Sequence, residues 1–259
     1  MTETEDKRKL KRKRELLISG SLNLYSLEAV NINGGGIGTY KERTLHAVMK
    51  NFFEPDKSKQ EIRYKGFIAD IMNDDGIFEV QTRAFNAMRK KLDCFLEDTQ
   101  VTVIYPAVRN KWLIWIDTAS GEITNKRKSP KVGKPYSVFE ELYKIKWMLT
   151  NPLLRFRIVM VDVEEYRKLD GWSDNKKKGS TRAERIPVDI GEIIEINNLT
   201  DYRKLIPSDM PDEFVTTEFK LKSGLSQKNA QTALNVLNAV GAIERIGKRG
   251  RAFLYKIRV

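Results

Sequence analysis

Two carboxylates and an amide carry spacing that could support chemistry. Asp70 is followed after eight residues by Glu79, and after one more by Gln81. Glu79 lies between Phe78 and Val80, and Asp70 between Ala69 and Ile71. Acids placed among core residues are costly unless paired or bound to a cation. Two converging carboxylates with a main-chain carbonyl make a hard oxygen site of the kind Mg²⁺ prefers, with water and phosphate completing its shell. Mn²⁺ suits the same donors. A metal there would lower the pKa of a bound water and shield a phosphate.

The elements that must position these residues follow from pattern. Residues 39–53 show helical period, with Leu45, Val48, Met49 and Phe52 at spacings of three and four. Thr39 and Glu42 fit a capping box. His46, the only histidine, shares a face with Glu42 and is read as a hydrogen-bonding structural side chain. Residues 60–72 are extended, with a bend or bulge at Gly66. Asn73-Asp74-Asp75-Gly76 is a turn, and residues 77–82 form a second strand. That hairpin lets Asp70 and Glu79 converge, and the two-residue period puts Glu79 and Gln81 on one face. Residues 83–97 are helical, 101–105 a buried strand ended by Pro106, and 111–128 a second hairpin. A helix over 138–149 and a strand over 156–163 complete a mixed α/β layer architecture.

This arrangement resembles the PD-(D/E)XK nuclease superfamily, with its restriction endonucleases and Holliday-junction resolvases. Ile68-Ala69-Asp70 stands at its first element, Glu79-Val80-Gln81 at its second, and Glu42 at its first-helix acid. The resemblance implies a restriction-endonuclease-like mixed sheet flanked by helices. It also implies metal binding by Asp70 and Glu79, and an accessory contact by Glu42. Glutamine replaces the family's usual lysine at position 81. Gln81 can orient a water but carries no charge. Some relatives move the cation to the next helix, where Lys91 shares the stripe of Ala84, Met88, Leu92 and Phe95. Lys65 on the hairpin is a second candidate.

The chain changes character near its end. Residues 216–223 read as a helix closed by Gly224, and Ser226 caps another that ends before Gly241. Residues 242–246 and 252–257 form a hairpin around Gly247-Lys248-Arg249-Gly250. Helix, turn, helix and basic hairpin resemble a winged helix-turn-helix domain. The resemblance implies a second helix in the major groove. Gln227, Lys228, Gln231 and Asn235 would face the bases, since amide side chains pair with adenine edges. Arg245, Lys248, Arg249 and Arg251 would grip phosphate.

The expected organisation is a basic arm over 1–20, a nuclease-like domain over 21–170, a lysine-rich linker and connector over 171–198, and the winged helix over 199–259. The glycine cluster 33–38 lacks the ending of a nucleotide-binding loop and is read as a lead into the first helix. Another basic loop spans Lys126, Arg127, Lys128, Lys131 and Lys134, a phosphate-contact candidate.

Composition bounds the reading. The 259 residues carry 47 Lys and Arg against 35 Asp and Glu, a formal charge of +12 that suits a polyanionic partner. Residues 1–14 hold seven basic and three acidic residues, and 212–259 nine and four. Most of the excess therefore lies outside the candidate core. No long apolar run suggests a membrane span, and the charged N-terminus lacks the apolar stretch of a signal peptide. With Cys94 as the only cysteine, a cytoplasmic protein is expected. The sequence reading is thus a Mg²⁺-dependent endonuclease on double-stranded DNA, compatible with a homodimer. The alternative is a non-catalytic DNA-binding regulator or scaffold with an inactive core.

Overall fold

The computed structural model describes residues 43–117, 120–170 and 179–258. The basic arm, the glycine cluster, Thr39 and Glu42 lie outside the described residues. The architecture is mixed α/β, with one large mixed sheet accompanied by helices and a smaller three-stranded sheet near the C-terminus.

The first helix among the described residues, α1, is Arg43–Phe53. It buries Leu45, Val48, Met49 and Phe52, the stripe that the helical period selects. The extended run that follows is two strands. β1 (Gln60–Tyr64) and β2 (Phe67–Asn73) pair antiparallel, Tyr64 opposite Phe67. Lys65 and Gly66 both have positive φ, 46° and 82°, which is the twist a two-residue hairpin turn requires. The expected bend is therefore a full reversal. β3 (Gly76–Val80) returns beside β2, then pairs in parallel with β4 (Val101–Asp117). Between them a 3-10 turn at Phe85–Met88 leads into α2 (Arg89–Phe95).

Pro106 does not end β4. Ile104 O accepts from Gln81 N, so residue 106 also faces the β3 side, where β3 has already stopped. The missing proline N–H therefore costs no ladder bond. β5 (Arg127–Lys128) folds back on β4, with Trp112 opposite Lys128. α3 (Phe139–Lys144) lies between 3-10 turns, then β6 (Leu154–Leu169) and β7 (Thr181–Ile196) complete the sheet order β1-β2-β3-β4-β6-β7.

β7 corrects the linker expected over 171–198. Its residues 181–196 form a 16-residue strand at the sheet edge, where Pro187 is tolerated. Alternating charges conceal it, although Ala183, Ile190, Ile194 and Ile196 are buried.

Two compact units divide the chain. The first draws on residues 1–57, 108–133 and 160–192, and the second on 58–107, 134–159 and 193–259. β4, β6 and β7 each contribute a stretch to both. In the second unit, β8 (Glu213–Val215), α4 (Thr216–Ser223), α5 (Gln227–Ala239), β9 (Ile243–Arg249) and β10 (Ala252–Ile257) form the C-terminal module. Its sheet order is β8-β10-β9. Gly224 takes left-handed φ (73°) where α4 stops, and Ser226 Oγ accepts from Asn229 N to start α5. Phe214, Phe219, Ala230, Leu234 and Leu237 are buried within it. Among the described residues no helix is long and apolar enough to cross a membrane.

Candidate functional site

The β2–β3 turn decides which side chains can meet. Ile71 faces Phe78 and Asn73 faces Gly76, so Asp70 and Glu79 sit at the next step of the ladder. There the side chains take over from the main chain. Val80 N donates to Asp70 Oδ2 at 2.8 Å, and Asp70 N points to Glu79 Oε1 at 3.4 Å. Each carboxylate thus accepts from the other's strand, which holds the two acids together where β2 and β3 part.

Glu79 is 4% exposed. Lys91 Nζ, from α2, donates to Glu79 Oε2 at 2.6 Å. Its helix buries Leu92 and Phe95, and Met88 is buried in the turn before it, so the lysine on the same stripe projects inward to the strand carboxylate. Burial, and next the Asp70 carboxylate, push the Glu79 carboxyl up to about 7, against the pull of Lys91. The Lys91 ammonium therefore pairs with a carboxylate that also feels a second acid, Asp70, beside it.

That donor set fits a hard divalent cation. Both side-chain ligands are oxygens, and burying like charges side by side is the environment a cation relieves. Among the described residues no group of three or more His, Cys, Asp and Glu side chains gathers as a metal site. Water or main-chain oxygen would have to complete the shell of such an ion.

The Gln81 side chain is anchored through its amide nitrogen. Its Nε2 donates to Arg83 O at 2.6 Å and lies 3.4 Å from Ala84 O. Ala84 has φ 58°, an unfavourable left-handed conformation for alanine. Gln81 therefore braces the loop that delivers α2 and Lys91. The main chain beyond the loop is tied as well, with Phe85 N donating to buried Glu141 at 2.9 Å. Lys65 is engaged elsewhere, with Glu97 at 3.2 Å and Asp98 at 2.8 Å.

The polar face of α5 is only partly open. Gln227, Lys228 and Gln231 are exposed. Asn235 Oδ1 instead accepts from Lys146 Nζ at 2.8 Å, and Asn229 donates to Glu140. Asn235 is therefore engaged by the segment following α3. Sequence spacing could not reveal a partner some ninety residues away.

On the β9–β10 hairpin, Arg245 stacks 4.5 Å from the Phe253 ring centroid, with Lys248 5.8 Å from the same centroid. Arg249 pairs with Glu218 at 3.2 Å. Lys248 and Arg251 are exposed and have no ion pair among the described residues.

The family model described as Domain of unknown function (DUF8091) matches residues 43–197, a span containing Asp70, Glu79, Gln81 and Lys91. An uncharacterized protein of Treponema pallidum (strain Nichols) is 28% identical over 221 residues, covering 85% of this chain and 87% of that protein. No solved structure matches.

Proposed function

The chain belongs to the Domain of unknown function (DUF8091) family, and from its geometry we propose a Mg²⁺-dependent endonuclease acting on DNA. The observation carrying this reading is the Asp70–Glu79–Lys91 cluster: two adjacent carboxylates, one nearly inaccessible, with an ammonium delivered at 2.6 Å from the following helix. The order α1-β1-β2-β3-α2-β4, with a β1–β2–β3 meander and β4 parallel to β3, supports the PD-(D/E)XK resemblance. Lys91 supplies the cation missing at position 81.

In this reading Asp70 and Glu79 hold Mg²⁺, or Mn²⁺ in its place. When bound, the ion supplies an activated water and offsets phosphate charge. The chain's own residues have separate work. Lys91 orients Glu79 and favours its ionised form, and it presents positive charge where phosphoryl oxygens gain negative charge. Gln81 sets the loop that places Lys91. The C-terminal module acts as a winged helix-turn-helix that holds duplex DNA. Gln227, Lys228 and Gln231 provide the open helix face, and Arg245, Lys248 and Arg251 the basic hairpin.

Plasmid cleavage with Mg²⁺ or Mn²⁺ tests the reading. The wild type is expected to nick or linearise DNA, while Asp70→Ala with Glu79→Ala abolishes cleavage. Lys91→Met is expected to lower the rate by about 10²-fold, on the scale of losing one electrostatic stabiliser. Equal cleavage by the double variant refutes the assignment. Divalent-ion binding that is absent, together with absent cleavage but intact DNA binding, favours the inactive-core alternative. The self-satisfied hydrogen bonds of Asp70 and Glu79 are the observation on that side.

A further inference from the structure

The first unit buries a carboxylate with more positive charge around it than it can neutralise. Glu165, on β6, has no exposed surface. Lys111 of β4 approaches it at 3.4 Å, Arg167 of β6 at 2.8 Å and Arg185 of β7 at 2.9 Å. Those strands are neighbours in the sheet, and Glu165 and Arg167 share a face by the two-residue period. Burial alone would raise the Glu165 carboxyl. Arg185, with Arg167 and Lys111, overcomes that and holds it down to about 2. The cluster therefore contains three cations and one anion.

The surrounding ion pairs show that this excess is not a general habit of the sheet. Arg109 meets both Asp162 and Asp189, so one guanidinium faces two acids. Lys126 meets Glu164 one to one. None of Lys111, Arg167 and Arg185 has a second acidic partner among the described residues. Three clustered cations repel one another unless a further anion arrives.

Their hydrogen bonds leave room for it. Arg167 and Arg185 both spend Nε on Glu165. The Arg185 terminal nitrogens have no partner among the described residues, and Arg167 Nη1 has only Ser180 Oγ at 3.4 Å. Side-chain exposures of 26%, 33% and 31% for Lys111, Arg167 and Arg185 put part of each in reach of solvent. Glu165 works as a buried anchor that orients guanidinium forks, the groups best matched to phosphate oxygens.

We propose that Lys111, Arg167 and Arg185 form a phosphate-binding site anchored by Glu165. Its ligand is a phosphate group, reached either as part of a nucleic-acid backbone or as a free phosphate compound. The site stands whether or not Asp70 and Glu79 cleave DNA.

The test uses the full chain carrying Asp70→Ala, so that cleavage cannot obscure binding. The comparison adds Arg185→Ala or Lys111→Gln. Lys111 makes the longest contact, so its replacement leaves both close guanidinium bonds to Glu165 and preserves folding should Arg185→Ala not. Inorganic phosphate is titrated while the unfolding midpoint is followed, and duplex DNA affinity is measured against salt. Phosphate is expected to raise the parent's midpoint, and either folded variant to lose most of that rise. A DNA salt slope lowered by about 0.9 per cation removed identifies backbone phosphate as the source. Loss of the phosphate response with an unchanged slope identifies a free phosphate compound. If Lys111→Gln leaves both readouts at the parent's values, the proposal is overturned.

Discussion

Glu79→Gln separates the stability of this protein from its proposed activity. Glutamine keeps nearly the same shape and can still accept from Lys91 and from Asp70 N, but it carries no buried charge. In the folded chain Glu79 is raised from 4.5 to about 7, burial being the largest cause and Asp70 the next. The folded state thus binds a proton more tightly than the unfolded state. This contribution is fully present below pH 4.5 and is lost as pH rises through about 7. The whole displacement corresponds to about 3 kcal/mol, most of which falls between pH 5 and pH 8.5. Little discount applies, since Glu79 is almost entirely buried. Urea unfolding of wild type and variant, both without divalent ions, reads the effect. The wild type is expected to lose roughly 2 kcal/mol or more relative to Glu79→Gln over that interval. At pH 8.5 the variant should equal or exceed the wild type in stability while showing no cleavage, as expected when a site is kept at a cost to folding. Parallel pH dependences in the two proteins would refute the argument that Glu79 is a strained carboxylate.

Two further perturbations address the hairpin and the turn. Lys248→Ala with Arg251→Ala should reduce the salt slope of DNA binding by about 1.8, while Arg249→Ala, already paired with Glu218, should change it by less than one ion's worth. Filter binding across a salt series checks both, and an Arg249→Ala effect equal to the double variant's would contradict the pairing. Gly76→Ala should destabilise by about 2 kcal/mol or more, because Gly76 has φ 107° and a Cβ would fall 2.5 Å from Gln100 O. Thermal unfolding measures it, and a loss below about 0.5 kcal/mol would show that the turn relaxes freely.

The parts of the site legible in sequence were those governed by local geometry. The Asn73–Gly76 turn brings Asp70 beside Glu79, and the α2 period puts Lys91 on the buried stripe, so the meeting of all three follows from short-range pattern. The Lys65-Gly66 reversal was harder, because apolar residues continue on either side and only two positive φ values mark it. β7 was hidden by charges that pair across strands, as Arg185 does with Glu165. β8 has three residues and no period to detect. Asn235 and Arg249 show the limit most plainly. Their residue types suit nucleic acid, but Lys146 and Glu218 hold them, and such partners are set by tertiary packing.

The threading of the chain through its two compact units bears on inheritance. Each unit is assembled from three separated stretches, and the alternation runs from residue 57 to residue 193. A single crossover or insertion inside that interval would sever the stretches of at least one unit from one another. Neither unit can be gained, lost or exchanged by one recombination event within it. Lineages carrying this sheet should therefore vary by point substitution and by changes at loops, with the C-terminal module from residue 199 onward as the place where a cassette could be traded.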